Sequence, residues 1–336
     1  MFRTPCVTML LVGAMLTGNV GCKAAAGTQP AGASENLLKD LEAAIETYPE
    51  AARPVLRRIV LAPGFAGVVS RAQALEVGAA LSTSPRDTAL ALVNLARVYA
   101  RTPISHYNVG AVAIGSSGAM YFGCNLEFLG QPLSNSVHGE QSAVMNAWVH
   151  GETGLDSIAI TAAPCGYCRQ FLNELATAAN LVVLLQDSQP VKLLDLLPKA
   201  FGPSDLGVKG ALMSPSLQPL TLAPAAGDAT IAAALAGASA SYSPYTLSYA
   251  GVSIESADGV VAAGRYAENA AYSPSMSPMQ AALAIYNFTG RSFDDIRRAV
   301  LVQANVGTIS QEDASRLVLR SINGRVSLES YLATRQ

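Results

Sequence analysis

His138-Gly139-Glu140-Gln141, followed by Pro164-Cys165-Gly166-Tyr167-Cys168, is the stretch whose reading decides this chain. A zinc ion that does chemistry takes three protein ligands and keeps one position open for water. His138, Cys165 and Cys168 supply three donors. Glu140 stands two residues from the histidine, near enough to move that water's protons without ligating. The spacing follows from local structure. Ser134-Asn135-Ser136 are helix-capping residue types, and the apolar positions Ala143, Val144, Ala147 and Trp148 follow, which predicts His138 and Glu140 in a helix's first turn. The apolar run 158–163 reads as a short strand ended by Pro164, which pre-sets a second helix from Gly166 to about Ala179. Two residues between cysteines at a helix start turn both sulfurs to one metal, and the positive end of the helix dipole favours thiolates. A helix, a loop and a strand fit between His138 and Cys165, so the pattern reads as a helix–strand–helix unit that brings two helix N-termini together.

A Cys-x-x-Cys pair also serves redox couples and closed structural zinc sites. Neither needs Glu140, and the other three cysteines, Cys6, Cys22 and Cys124, are scattered singly. Zinc with two thiolates and a neutral imidazole is formally neutral, and uncharged Gln141 follows Glu140, so the ligand set balances itself.

The stretch from Ser105-His106-Tyr107-Asn108-Val109-Gly110-Ala111 to Phe171-Leu172-Asn173-Glu174-Leu175 resembles the cytidine deaminases, in particular the long homodimeric type of enterobacteria and plants. Asn125-Leu126-Glu127-Phe128-Leu129-Gly130 and the two metal motifs carry the likeness. It extends over nearly all the chain after residue 37, including Ala200-Phe201-Gly202-Pro203 and Tyr266-Ala267-Glu268-Asn269. Two departures stand out. Gly139 lies where the family usually has alanine, and Ala162 and Ala163 replace bulkier or hydroxylated residues before Pro164.

The resemblance implies hydrolytic deamination of cytidine and deoxycytidine to uridine and deoxyuridine in pyrimidine salvage, with one Zn2+ per chain. Hydroxide on the zinc attacks C4, with Glu140 as proton shuttle. It implies Asn125 and Glu127 as the pair that binds the ribose 3′-hydroxyl, Tyr107 as an aromatic against the pyrimidine, and Phe201 as a second aromatic wall. Taken alone, both aromatics fit core packing as well. His106 and His150 have no partner motif and read as surface or structural, and Arg169 reads as facing solvent. Two other readings stay open: a zinc-binding envelope protein without turnover, and a nucleic-acid cytosine deaminase.

Composition weighs against the last of these. The 336-residue chain is 50% hydrophobic, carries a formal charge of −2 and has only 6% aromatics, so neither a phosphate-backbone footprint nor a base-stacking platform is visible. Arg53, Arg57, Arg58 and Arg71 alternate with Glu42, Glu46 and Glu50, an ordinary charged helix surface.

The chain divides into a leader and linker (1–34), a small helical domain (35–83), the catalytic domain (84–188), a connector (189–224) and a degenerate copy of the catalytic domain (225–336). Helices flanking a mixed sheet make the expected fold an α/β class three-layer α/β/α sandwich, duplicated. In the second copy, Tyr242-Ser243-Pro244-Tyr245 echoes Ile104-Ser105-His106-Tyr107, and Tyr266-Ala267-Glu268 echoes Asn125-Leu126-Glu127. Pro278 and Gln280 stand in the approximate places of His138 and Glu140, so this copy cannot hold zinc. By the resemblance it serves assembly of a homodimer, with Ala271 and Tyr272 closing the partner's pocket. Plain dimer packing fits the sequence equally well.

At the start, Met1-Phe2-Arg3 and the apolar run Val7 to Leu16 fit a signal-peptide core too short to span a membrane. Gly21-Cys22-Lys23 resembles a lipoprotein processing site, so a lipid anchor at Cys22 and an envelope location compete with the family's usual cytoplasm.

Overall fold

Glycines near the ends of neighbouring strands let helices approach both faces of each sheet, and this sets the architecture. The computed structural model describes residues 33–223, 225 and 227–336. Residues 1–32 of the expected leader and linker, with Cys6 and Cys22, lie outside the described residues.

Helix α1 (Glu35–Glu46) begins at Ser34, whose hydroxyl accepts from the Leu37 N–H. Helix α2 (Arg53–Val60) follows, then the two-residue strand β1 (Val68–Val69) and α3 (Arg71–Leu81), opened by a reciprocal Ser70–Gln73 cap. The first repeat runs α4 (Pro85–Val98), β2 (Gly110–Gly115), β3 (Met120–Cys124), α5 (Gly139–Val149), β4 (Leu155–Ile160), α6 (Gly166–Leu172) and β5 (Val182–Leu185). The connector contributes β6 (Val191–Lys192), α7 (Leu193–Leu196) and β7 (Leu220–Thr221). The second repeat runs α8 (Ala229–Ser239), β8 (Ala250–Ser256), β9 (Val261–Arg265), α9 (Pro278–Asn287), β10 (Ile296–Ala304), α10 (Glu312–Ile322) and β11 (Leu328–Arg335).

Two mixed sheets result, ordered β1-β3-β2-β4-β5-β6 and β7-β11-β10-β8-β9. The only parallel pairs among the named strands are β4 with β5 and β10 with β11, the same place in each repeat. Helices cover both faces. A Cβ at Gly123 on β3 would sit 2.2 Å from the Gly139 carbonyl of α5, whereas one at Gly110 on β2 would meet the Val93 carbonyl of α4 at 2.1 Å. The pairing Gly110↔Cys124 and Ala111↔Gly123 places these glycines on opposite faces. Gly264 against α9 and Gly251 against α8 repeat the arrangement, so the duplicated three-layer α/β sandwich is present.

The N-terminal helices bury Leu41, Ile45, Leu56 and Ile59 in the same core as both repeats, and β1 pairs with β3. This segment therefore has no separate core. Three of its arginines are spent on acids: Arg53 on Glu46, Arg57 on Glu42 and Glu46, and Arg58 on Glu76. Among the described residues, no helix is long and apolar enough to cross a membrane.

Three local expectations are corrected. Helix α6 ends at Leu172 rather than near Ala179, because Leu212 N–H bonds to the Glu174 carbonyl and Ala176 N–H to the Leu212 carbonyl, pulling the chain out of the helix. The cap of α5 is His138 itself, while Leu133–Asn135 forms a separate 3₁₀ turn. The repeat register also shifts. Tyr242 bridges Ala267 as Arg101 bridges Leu126, so Tyr245 answers to Ile104 rather than to Tyr107.

Candidate metal centre and active site

His138 is in extended backbone (φ −88°, ψ 153°) immediately before α5, so its imidazole leaves the chain before the first turn closes. Its N–H donates to the Gln141 side-chain oxygen at 3.3 Å. Cys165 is likewise the extended residue before α6, and Cys168 lies one turn in, fully buried. His138 Nδ1 is 3.6 Å from Cys165 Sγ and 3.3 Å from Cys168 Sγ, with all three donor atoms within 4.8 Å of one another. Tetrahedral zinc with ordinary Zn–N and Zn–S lengths asks for N···S separations of about 3.6 Å. The donor set and its spacing fit zinc, and among the described residues it is the one cluster of at least three His, Cys, Asp or Glu side chains close enough to share an ion.

The surroundings hold these donors in place. The Tyr167 ring stacks on His138 at 5.1 Å between centroids. Arg169, expected to face solvent, instead donates to the Pro164 carbonyl at 2.8 Å and the Leu196 carbonyl at 3.0 Å, fixing the entry to α6. The Cys165 thiol is lowered to about 5, first by a hydrogen bond from Cys168, then by backbone N–H groups at the helix start and by His138. Cys168 is pushed up by that same shared proton and by burial. A dication held by the three donors would keep both as thiolates. Glu140 is 4% exposed, and burial raises its carboxyl above the usual range.

His138, Glu140 and Cys165 line a cleft of about 310 Å³ that also takes in Tyr107, Asn125, Glu127, Ala162 and Ala163. Asn125 accepts from the Val109 N–H at 2.8 Å and donates to the Tyr107 carbonyl at 2.9 Å. Glu127 accepts from the Ile104 and Ser105 N–H groups at 2.8 and 2.9 Å and from the Ser105 hydroxyl. Partial burial works against its charge, but these donors win and its pKa falls. Both residues therefore shape the loop that carries Tyr107, which is 60% exposed at the cleft mouth. Phe201, Ala271 and Tyr272 do not line this cleft. The Phe201 carbonyl accepts from Gln170 and Asn173, and Tyr272 is 64% exposed with its ring near Tyr245. A larger cleft of about 980 Å³ beside α3 and α4 contains none of the metal donors and not Glu140.

In the second repeat, Glu268 accepts from Tyr245 and Thr246 as Glu127 does from Ile104 and Ser105. Gln280 Oε1 accepts from the Ser277 N–H as Gln141 does from His138. Ser277 and Met279, rather than Pro278 and Gln280, thus occupy the places of His138 and Glu140. The conclusion that this copy lacks the ligands is unchanged.

Sequence reasoning missed three contributors. Gln141 donates to the Pro274 carbonyl at 3.2 Å, Gln280 donates to the Asn135 carbonyl at 2.8 Å, and Glu174 is buried between the repeats. For Gln280 a signal exists, since Ser277-x-x-Gln280 is a capping-box pattern. For the other two the partners lie between 68 and 133 residues away.

Residues 84–185 and 193–316 each match a family model described as the cytidine and deoxycytidylate deaminase zinc-binding region. A cytidine deaminase of Aeromonas hydrophila subsp. hydrophila is 48% identical over 258 residues, 76% of this chain and 87% of that protein. One of Yersinia pestis is 43% identical over 274 residues, 82% and 92% of the two chains. The solved cytidine deaminase of Mycobacterium tuberculosis is 31% identical over 35% of this chain and 94% of that one, with a TM-score of 0.31.

Proposed function

The chain belongs to the cytidine deaminase family, and from that premise we propose that it hydrolyses cytidine and deoxycytidine to uridine and deoxyuridine with release of ammonia. One observation carries the reading: the buried carboxylate of Glu140 lines one cleft with His138 and Cys165, which form a three-donor set with the buried Cys168.

Bound by those three residues, zinc supplies Lewis acidity that makes hydroxide available near neutral pH. The chain's own part is proton handling and positioning. Glu140 takes the proton of the attacking water and delivers it to N3 of the pyrimidine, which makes C4 electrophilic. It then carries a second proton to the departing amine, so that water and cytidine leave as uridine and ammonia. Asn125 keeps a second amide hydrogen and Glu127 further lone pairs beyond their loop contacts. The pair is thus able to donate to and accept from one ribose hydroxyl. Tyr107 covers the base.

In the same reading the chain is a homodimer. Phe201, Ala271 and Tyr272 work at the partner's cleft, and the second repeat serves assembly. The exposed aromatics Tyr107, Phe201 and Tyr272 and the exposed Leu129 and Leu133 support a covered surface there. The formal charge of −2 favours a free nucleoside over a nucleic-acid strand.

The test is the loss of nucleoside absorbance with purified, zinc-replete protein. Cytidine and deoxycytidine are expected to turn over, while cytosine and a single-stranded oligonucleotide stay intact. Turnover of the oligonucleotide alone, or of nothing with zinc in place, would overturn the reading.

A further inference from the structure

Both helices that carry metal donors are held from outside by the repeat that has none. On the His138 side, Gln280 at the start of α9 donates its side-chain amide to the carbonyls of Asn135 at 2.8 Å and Ser136 at 3.3 Å. They lie three and two residues before the ligand His138. Gln141, whose oxygen accepts from the His138 N–H, reaches back to the Pro274 carbonyl at 3.2 Å. The contact is reciprocal, because each glutamine sits at the third position of its helix and binds the loop that leads into the other repeat's helix.

On the cysteine side, the loop 269–276 grips the far end of α6. The Asn269 amide donates to the Gln170 carbonyl at 2.9 Å, and the Gln170 amide returns to Asn269 Oδ1 at 3.3 Å. Glu174, two residues past the end of α6 and fully buried, accepts from the Ala270 N–H at 2.9 Å and the Tyr242 hydroxyl at 2.8 Å, and also from the Tyr245 hydroxyl. One loop therefore touches α5 through Pro274, α6 through Asn269, and the segment just past α6 through Ala270.

We propose that the ligand-free repeat is a brace for the metal centre, with Gln280 and Glu174 as positioning residues that set where α5 and α6 present His138, Cys165 and Cys168. The physical reason is that three donors must converge within a few tenths of an ångström, although they come from two separate helices. The two helix starts meet directly through the Tyr167 ring on His138, and the hydrogen bonds from the second repeat add a tie that reaches both helices. Groups that orient ligands change metal affinity by about 10–100-fold when removed. The brace acts one layer further out, so the lower end of that range applies. The inference concerns zinc retention and does not depend on which substrate the cleft takes.

The test uses the full chain in three variants: Glu174→Gln, Gln280→Leu, and Val302→Ala as a control that removes buried methyl groups from the outer core of the second repeat. Zinc transfer to an excess of chelator, well below the unfolding midpoint, is expected to be about tenfold faster in the two brace variants and within twofold of wild type in the control. The visible bands of the cobalt-substituted protein, which report donor geometry, are expected to move in the brace variants alone. If either variant is too unstable to purify, Asn269→Ala on the same loop replaces it. Wild-type transfer rates and cobalt bands in the brace variants would overturn the proposal. So would equal changes in Val302→Ala, since the effect would then be loss of stability alone.

Discussion

Replacing Glu140 by glutamine keeps the volume and one hydrogen-bonding oxygen of the side chain but removes the group that can carry a proton. The site gives water little chance to stand in, because Glu140 is 4% exposed at the back of a cleft of about 310 Å³. A positioned general acid or base is worth about 10²–10⁴-fold, and this carboxylate is asked to act twice. The loss is therefore at least about 10⁴-fold in kcat, or roughly 5.4 kcal/mol of barrier at 1.36 kcal/mol per decade. The metal donors are untouched, with Nδ1 of His138 still 3.3 and 3.6 Å from the two sulfurs, so zinc should stay at one per chain. Turnover is read from nucleoside absorbance and metal from atomic emission on the same preparation. A variant within 100-fold of wild type, or one that loses its zinc, would refute the assignment of Glu140 as shuttle rather than ligand.

Other perturbations separate the remaining parts. Cys165→Ser or Cys168→Ser should each drop bound zinc well below one per chain after dialysis, and a variant that stays fully loaded would remove that cysteine from the ligand set. Gly123→Ala places a Cβ 2.2 Å from the Gly139 carbonyl and 2.3 Å from the Ala143 nitrogen, so α5 must lift off β3. A cost of about 3 kcal/mol in urea unfolding is expected, with weakened zinc binding. Gly130→Ala, at φ +73° in open space, should cost only about 1–2 kcal/mol. Arg291 holds the Asp258 carboxyl down at about 2 through hydrogen bonds to both oxygens. A depressed acid contributes stability above its unfolded pKa of about 3.9 and loses it as pH falls through its folded value. Asp258→Asn should therefore be less stable than wild type above about pH 5, with the gap closing between about pH 4 and 2. Because Asp258 is 49% exposed, solvent screening keeps that gap below about 1 kcal/mol. A gap that widens on acidification would contradict the sign.

The chemistry was legible where it is contiguous. His138 and Glu140 share one turn, and Cys165 and Cys168 another, so residue type and spacing carry the ligand set without tertiary information. What resisted reading depends on partners far along the chain. The apolar rhythm of Phe171, Leu172, Leu175 and Ala176 continues a helix on paper, yet the pairing of Ala176 with Leu212 ends α6 early. The match of Tyr266-Ala267-Glu268 to Asn125-Leu126-Glu127 holds in the structure, whereas that of Tyr245 to Tyr107 does not: the loop-capping bonds of Glu127 and Glu268 pair Tyr245 with Ile104, and those bonds cannot be read from either segment alone. Strand β1, at two residues, is too short for any periodicity. Gln141, Gln280 and Glu174 read as polar helix positions until the second repeat is folded against the first.

Deamination of a free nucleoside at this one metal centre is tested most directly by incubating zinc-replete purified protein with cytidine and measuring ammonia and uridine together. One ammonia per uridine is predicted, abolished by a zinc chelator and restored by added zinc. Zinc-loaded protein that releases no ammonia from cytidine would contradict it.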